Sequence, residues 1–484
     1  MGNQTAKPEN DIKRRNFLKA GALTAGSFMI VPRHVLGKGF IPPSDRLNMA
    51  AIGCGGKADV NIRLAYNGGT DNFVALCDVD DRQSEKYRKQ FPKAPYYNDY
   101  RKMLEKEAKN IDAVFVTTPD HMHYTIAMAC MEMGKHVYVE KPLTKDIWEA
   151  RMLTEAAKKY KLVTQMGNQG SSTDGTRQTE AIVQSGVLEE VHTIEVWTNR
   201  PVWPQGVKSP KDRGESQPVP VGVNWDLWLG TAPKRDYHEA YMPVRWRGYW
   251  DFGTGALGDM GCHFLDVPFR AMKLGYPTSV ECSVGSVYAD FFREAYFDDV
   301  CPPSSSIHFK FPAKTPGSKE ISLSWYDGGI RPQLPEGCDY QSVFGDSDGG
   351  LLFVGTKGIL SAEMFGNNPK LWPEKKFESV KLKGPARPLV KGSDEGHQQQ
   401  FVQACKQGFG TYTSSAFSES GPLTEIVLMG NLAVRSFLYR ENKANGKGYN
   451  FPGRQKLLWD GANMKIANFE AANQFVKREY RTGW

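Results

Sequence analysis

Six residues near the start of the chain, Gly53-Cys54-Gly55-Gly56-Lys57-Ala58, constrain the fold most. They follow an apolar run at 47–52 and open a helical pattern at 58–66, and a second apolar run at 72–77 ends at Asp78, 25 residues after Gly53. Strand, glycine turn, helix, strand and acid in this order form the dinucleotide-binding fingerprint of a βαβ unit. The glycines Gly53, Gly55 and Gly56 permit a tight turn and let backbone N–H groups approach a pyrophosphate, while the helix N-terminus adds partial positive charge. A carboxylate at the end of the second strand bonds ribose hydroxyls and disfavours a 2′-phosphate. Asp78 therefore points to NAD over NADP, and the neighbouring Asp80, Asp81 and Arg82 leave NADP open. A glycine turn and a surface acid would be bland taken singly; their place in the ordered set favours a cofactor site.

The same alternation continues downstream. Helical patterns at 81–90, 103–109, 124–133 and 147–160 separate apolar runs at 111–117, 136–139 and 162–166, as a parallel sheet with crossover helices requires. The expectation is a Rossmann-like, doubly wound α/β domain over 44–166. From 167 the texture changes to longer polar and aromatic loops with alternating strands near 193–198, 279–288, 306–311, 320–326 and 350–354, and helices around 259–273, 394–407 and 422–441. This predicts an α+β substrate-binding and oligomerisation domain over 167–484, built on a large open, mainly antiparallel sheet.

A chain of 484 residues that is 40% hydrophobic can bury a core of that size. Its formal charge of +7 is dispersed, with no basic run of the kind that marks a nucleic-acid footprint, so no nucleic-acid partner is expected. Eight cysteines include no CxxC pair, which argues against a zinc ribbon or a dense disulfide framework. Ahead of the first strand, Lys13-Arg14-Arg15-Asn16-Phe17-Leu18-Lys19 precedes a small, apolar stretch at 20–31. That is the layout of a twin-arginine export signal, and residues 1–43 are read as signal and linker, with a periplasmic destination. The apolar stretch is shorter than the roughly 20 residues a membrane span takes, and no cysteine follows it to carry a lipid, so no stable membrane anchor is expected.

Three further segments carry chemistry. Thr117-Thr118-Pro119-Asp120-His121-Met122-His123 ends a strand, and strand carboxyl ends are where open α/β sheets place ligands. Thr118 and Pro119 would turn the chain across the cofactor; His121 and His123 suit contact with ribose or substrate, and equally suit helix capping or packing. Glu140-Lys141-Pro142 follows the next strand at the same edge. A lysine beside a carboxylate and a bound nicotinamide can donate to a substrate hydroxyl, although Glu-Lys is also an ordinary surface pair. In Gly255-Ala256-Leu257-Gly258-Asp259-Met260-Gly261-Cys262-His263, helical spacing would place Asp259, His263 and Asp266 on one face. Flanking carboxylates would orient the histidine and favour its cation. The glycines around it, at 253, 255, 258 and 261, suggest backbone approach to a ligand. Zinc is a rival occupant of the cluster, but no second histidine or cysteine stands at metal spacing, and no metal is expected. Aromatic residues cluster just before this helix; Trp203 and Trp246 with Arg247 suit the faces and hydroxyls of a sugar, and otherwise suit packing. Asn168 and Gln169, after the last Rossmann strand, could face the nicotinamide ribose.

Taken together, Gly53-Cys54-Gly55-Gly56, Asp78, Thr118-Pro119 with His123, Glu140-Lys141-Pro142-Leu143 and the Gly255 to His263 motif resemble the glucose–fructose oxidoreductase / inositol dehydrogenase family, Gfo/Idh/MocA. The resemblance covers about half of the chain, roughly 47–275. It implies that Lys141, Asp259 and His263 form the catalytic group, with His263 accepting the proton of the hydroxyl being oxidised, and that the open sheet mediates a homodimer or homotetramer. The implied activity is NAD(P)-dependent oxidation of a sugar, sugar derivative or polyol, with tightly held cofactor because an exported enzyme has no soluble pool to draw on. The alternative is a redox-neutral, NAD-retaining glycosidase, lyase or epimerase. Family glycosidases tend to depart from the Glu-Lys-Pro and Asp-x-x-x-His patterns, and this chain keeps both. A non-catalytic sugar-binding protein is a third reading, opposed by the intact Lys141, Asp259 and His263.

Overall fold

Strands buried on both faces explain why the first half of the chain reads as unbroken apolar runs. In the computed structural model, which describes residues 45–336, 338, 344–380 and 384–484, β1 (Asn48–Ile52), β2 (Asn72–Cys77), β3 (Tyr96–Tyr97), β4 (Ala113–Val116), β5 (His136–Val139) and β6 (Thr164–Met166) form a wholly parallel sheet in the order β3-β2-β1-β4-β5-β6. Ala50, Val114, Val116 and Val137 at its centre are fully buried. The crossover helices Ala58–Tyr66, Asp81–Gln90, Tyr100–Glu107, His123–Glu132 and Ile147–Tyr160 follow the expected pattern. Asp80 and Asp99 cap two of them, and Asp146 with Glu149 closes a capping box on a third. The strand order reverses between β1 and β4, which opens a crevice at their carboxyl ends. The export motif and its apolar stretch lie outside the described residues.

The second sheet has nine strands in the order Lys370–Trp372, Ile359–Ala362, Gly349–Gly355, Val191–Thr198, Ile321–Tyr326, Ser305–Phe311, Ser279–Val284, Leu457–Asp460, Lys465–Ile466. Only the pairing of Val191–Thr198 with Ile321–Tyr326 is parallel among these. The helix Phe417–Leu438 runs buried beneath this sheet and packs on Gly255–Phe264 and Ile147–Tyr160. No helix among the described residues is long and apolar enough to cross a membrane.

Four expectations change. The strand expected over 279–288 ends at Val284, and Val287–Asp290 joins a separate hairpin with Arg293–Ala295, because Gly285 turns away to bond Ser304. The helix expected over 259–273 is two, Gly255–Phe264 and Asp266–Ala271. Pro268 supplies the reason: it lacks an N–H and its ring conflicts with the carbonyl four residues back, at Phe264. The expected border at 166/167 separates the sheets but not their cores, since Val114 and Val116 share one apolar cluster with Ile194, Val196 and Phe309. The helix His397–Gln407 also returns to the first sheet, where Phe401 meets Phe115 edge-on at 5.5 Å. Finally, the glycines beside Asp259 serve packing rather than ligand approach: a Cβ on Gly253 would stand 2.6 Å from Arg247 Cα, and one on Gly261 3.0 Å from Val427.

Candidate active site

A cavity of about 470 Å³ follows the carboxyl ends of β1, β2, β4 and β5. Its floor is the glycine turn. Gly53 has φ +84° and donates its N–H to Cys77 O at 2.8 Å; a Cβ there would stand 2.4 Å from Thr117 O, so no other residue fits. Gly56, with φ +55°, faces open space. Asp78 lines the cavity and also holds the turn: Oδ2 accepts from Cys54 N at 2.7 Å and Oδ1 from Asp80 N at 2.9 Å. Burial pushes its carboxyl up to about 6, against the pull of these N–H bonds. Arg82 stands off the cavity wall, its Nε and Nη2 donating to Asp80 at 2.8 and 2.7 Å.

The other end of the cavity is charged. Lys141 Nζ donates to Asp259 O at 2.7 Å and to Asp259 Oδ1 at 2.8 Å, and Arg247 Nε donates to the same Oδ1 at 3.0 Å. Burial would raise the Asp259 carboxyl, but these two cations hold it well below the usual carboxylate range. His263 lines the cavity beside this trio, its ring edge-on to Phe365 at 5.0 Å. Burial first, and then the Lys141 ammonium, push His263 well below its ordinary 6.5, so the imidazole is neutral at pH 7. The sequence reading expected carboxylates to favour the cation. That is corrected: the Asp259 carboxylate, shared with Lys141 and Arg247, does favour the cation but is outweighed by burial and Lys141, and Asp266 pairs with Arg270 at 2.7 Å beyond the break at Leu265. Glu140 also lines the cavity and accepts from Asn61 Nδ2 at 2.8 Å, which Gln398 supports from the returning helix.

Gly53, Gly55, Gly56, Asp78, Thr118, Pro119, Glu140, Lys141, Gln169, Trp246, Arg247 and His263 thus share one cavity wall. Five sequence-selected residues stand behind it: Asp259, which holds Lys141 and Arg247, and His121, His123, Asn168 and Trp203. His121 is buried between Trp228 and Phe252 with Nε2 3.0 Å from Trp228 O, and burial pushes its pKa down to about 3. His123 has both ring nitrogens on carbonyl oxygens, Pro142 O and Thr118 O, each at 2.8 Å. Asn168 ties the β6 loop to Cys262 O at 3.3 Å. Trp203 donates to Gln205 at 2.9 Å and backs the Arg247 guanidinium from 5.9 Å. Most of the aromatic cluster is core, with Trp228, Tyr241, Trp246, Tyr249 and Phe252 packed together. Other wall residues went unnoticed in the sequence: Asn98, Asp99 and Tyr100 beyond β3, the turn at 242–244, and Trp484, whose ring lies 4.2 Å from the Arg101 guanidinium. No local signal marks Trp484. Asp120 could have been found from its place in the Thr117 motif; it accepts from Thr254 Oγ1 at 2.6 Å.

These residues fit a dinucleotide. The turn excludes side chains where a pyrophosphate would approach, Asp78 lines the cavity at the end of β2, where a ribose would lie, and three buried polar atoms of wall residues, Thr118 Oγ1, Gln169 Oε1 and His263 Nδ1, have no hydrogen-bond partner among the described residues. No group of three His, Cys, Asp or Glu side chains among the described residues is placed to hold a metal ion.

Comparison with known proteins agrees with this geometry. Residues 47–168 match the Gfo/Idh/MocA oxidoreductase family's NAD-binding Rossmann fold, and residues 173–284 match that family's C-terminal alpha/beta domain. The chain is 24% identical over 202 residues to scyllo-inositol 2-dehydrogenase (NADP(+)) IolW of Bacillus subtilis, covering 42% of this chain and 45% of that one. It is 32% identical over 175 residues to glycosyl hydrolase family 109 protein 1 of Shewanella sp. (strain ANA-3), covering 31% and 38%. The matches thus span less than half the length of these curated relatives. In fold, the chain is similar to the WlbA dehydrogenase of Bordetella pertussis, solved with NADH and UDP-GlcNAcA, at a TM-score of 0.50 and 15% identity over 80% of this chain and 94% of that one. It is likewise similar to an inositol dehydrogenase homolog of Azotobacter vinelandii, solved with NADH and myo-inositol, at 0.50 and 17% over 79% and 93%. Through its two matched segments, the chain belongs to the Gfo/Idh/MocA oxidoreductase family.

Proposed function

We propose that this chain oxidises a secondary hydroxyl of a sugar or polyol, with NAD held along the glycine turn. The observation that carries the reading is a neutral, buried His263 in the same cavity wall as Asp78, Lys141 and Arg247, the last two held from behind by Asp259. Bound NAD supplies the acceptor for the hydride leaving the carbinol carbon. Two of the three Lys141 N–H bonds are anchored on Asp259, and the third donates to the substrate oxygen, polarising its O–H. His263 takes the hydroxyl proton, and the nearby Asp259 carboxylate steadies the resulting imidazolium. Arg247, stacked at 4.3 Å on Trp246, orients a second hydroxyl, while the packed rings of Trp246 and Trp228 give that part of the wall its apolar backing. The bidentate Arg82–Asp80 pair and the Asp78 carboxylate support NAD over NADP.

A second reading, redox-neutral glycoside cleavage, is favoured by the family 109 relatives at 31–32% identity. Intact Lys141, Asp259 and His263 favour net oxidation. Identifying the nucleotide that co-purifies with the protein, then adding sugars and aryl glycosides, separates the two: net oxidation gives a lasting absorbance change in the NADH band, and the glycosidase releases aglycone with none. The proposal extends to export, by a twin-arginine signal at 13–31, to the periplasm without a stable membrane anchor, on the strength of that sequence. It extends also to a homodimer or homotetramer, on family resemblance, which sedimentation velocity checks.

A further inference from the structure

The segment that carries Trp246 and Arg247 into the first cavity continues to Trp250, which lines a second cavity of about 520 Å³. The two cavities share no wall residue. The wall of the second is aromatic and basic, with Trp250, Tyr296 and Tyr449 interleaved with Arg435, Arg440 and Arg454. Its acids are already engaged: Asp298 pairs with Arg440, its Oδ2 2.9 Å from Nη2, and Glu294 accepts from Ser286 at 3.0 Å and Tyr296 at 2.8 Å.

Arg435 is different. Its guanidinium lies 4.2 Å from the Phe475 ring and 5.7 Å from Trp250, yet among the described residues it makes no hydrogen bond and no ion pair. Aromatic faces attract the flat of a guanidinium but leave its five N–H donors unanswered. Arg435 is half-buried and its nitrogens reach solvent at the cavity wall, while the packing around it pulls its pKa down. A planar carboxylate accepts two parallel N–H bonds from a guanidinium edge that no protein acceptor occupies. The volume suits a ring of monosaccharide size, and aromatic walls with hydroxyls suit its faces. A second cation, Arg454, is exposed at the rim, stacked 3.7 Å over Phe451 with no acid on it among the described residues.

We propose that this second cavity binds a carboxylated sugar of monosaccharide size, with Arg435 gripping the carboxylate and Trp250 and Tyr296 facing the ring. The inference does not depend on the oxidoreductase reading. The backbone ties of this wall to the first site, Cys301 N–H to Gly248 O at 2.8 Å and Trp250 N–H to Asp299 O at 2.9 Å, place any such ligand next to the segment bearing Arg247.

The test is calorimetric titration of the full, NAD-loaded protein with D-glucuronate, D-glucose and inorganic sulfate. The expected result is saturable glucuronate binding that Lys141→Ala leaves intact, that Arg435→Gln weakens about tenfold to a hundredfold, and that Arg454→Gln weakens several-fold. Should Arg435→Gln fail to fold, the exposed Arg454→Gln carries the test. Absence of saturable glucuronate binding at millimolar concentration, affinity unchanged in the arginine variants, or binding lost in Lys141→Ala would each overturn the proposal. Sulfate binding as tightly as glucuronate would overturn the sugar assignment, and glucose doing so would overturn the carboxylate.

Discussion

Asp259→Asn removes one charge while keeping shape. The carboxylate it alters is shared by Lys141 at 2.8 Å and Arg247 at 3.0 Å, with the Lys141, Asp259 and Arg247 side chains only 13%, 14% and 25% exposed. Taking away one partner of a buried ion pair costs about 3–5 kcal/mol. Residual exposure and the surviving bond from Lys141 to the Asp259 carbonyl place this case at the lower end, near 3 kcal/mol. Lys141→Met removes the other side of the pair. Because the two side chains touch, the double variant should be less destabilised than the sum of the singles by about 1.5–3 kcal/mol. Urea unfolding of the four proteins at a common m-value gives the cycle. In parallel, Asp259→Asn should bind NAD normally, since the glycine turn and Asp78 are untouched, while turnover falls by about 10²–10⁴ as Lys141 loses its orientation. Additive stabilities, or turnover equal to wild type, would refute the idea that Asp259 organises the site.

Asp78→Ala should weaken NAD binding about tenfold to a hundredfold, with each lost bond to a charged acceptor worth about 1.5–3 kcal/mol, and should loosen the turn that Cys54 N–H anchors; equal affinity by calorimetry removes Asp78 from the ribose site. Because burial raises Asp78 to about 6, its carboxylate is lost as pH falls through that value, and the apparent Kd for NAD should rise roughly tenfold per pH unit below it. Because burial pushes His263 well below 6.5, the rate at saturating NAD should show no acid limb near 6.5; one there would contradict the burial argument. Changing Arg14-Arg15 to Lys-Lys should leave folded protein in the cytoplasm, and undiminished export by cell fractionation would remove the twin-arginine assignment.

The dinucleotide half was legible because its signals are local. Gly53 must be glycine for its clash with Thr117, Asp78 ends a buried strand, and the crossover helices carry their own caps at Asp80, Asp99 and Asp146. Only β3, two residues long, left no periodic trace. What escaped depends on tertiary contact. Helical spacing placed Asp266 beside His263, but Pro268 ends that helix a turn too soon. Spacing likewise could not tell that Asp259 would turn to Lys141 and Arg247 rather than to its helical neighbour. His121 and His123 sit at a ligand-facing edge by sequence, yet the carbonyls of Trp228, Pro142 and Thr118 draw their rings inward. Trp484 reaches the cavity only because Arg478 and Arg481 clamp the closing residues to His121 O and Gly230 O.

The most direct test of the central claim is single-turnover reduction of enzyme-bound NAD by a panel of sugars and polyols, followed in the NADH band for wild type and His263→Ala at several pH values. A neutral base within reach of the hydroxyl should contribute roughly 10²–10⁴-fold to the rate. The variant should therefore retain its nucleotide and lose the reduction phase by that factor. Equal rates and pH profiles in the two proteins would show that the proton leaves by another route, and His263 would not be the base.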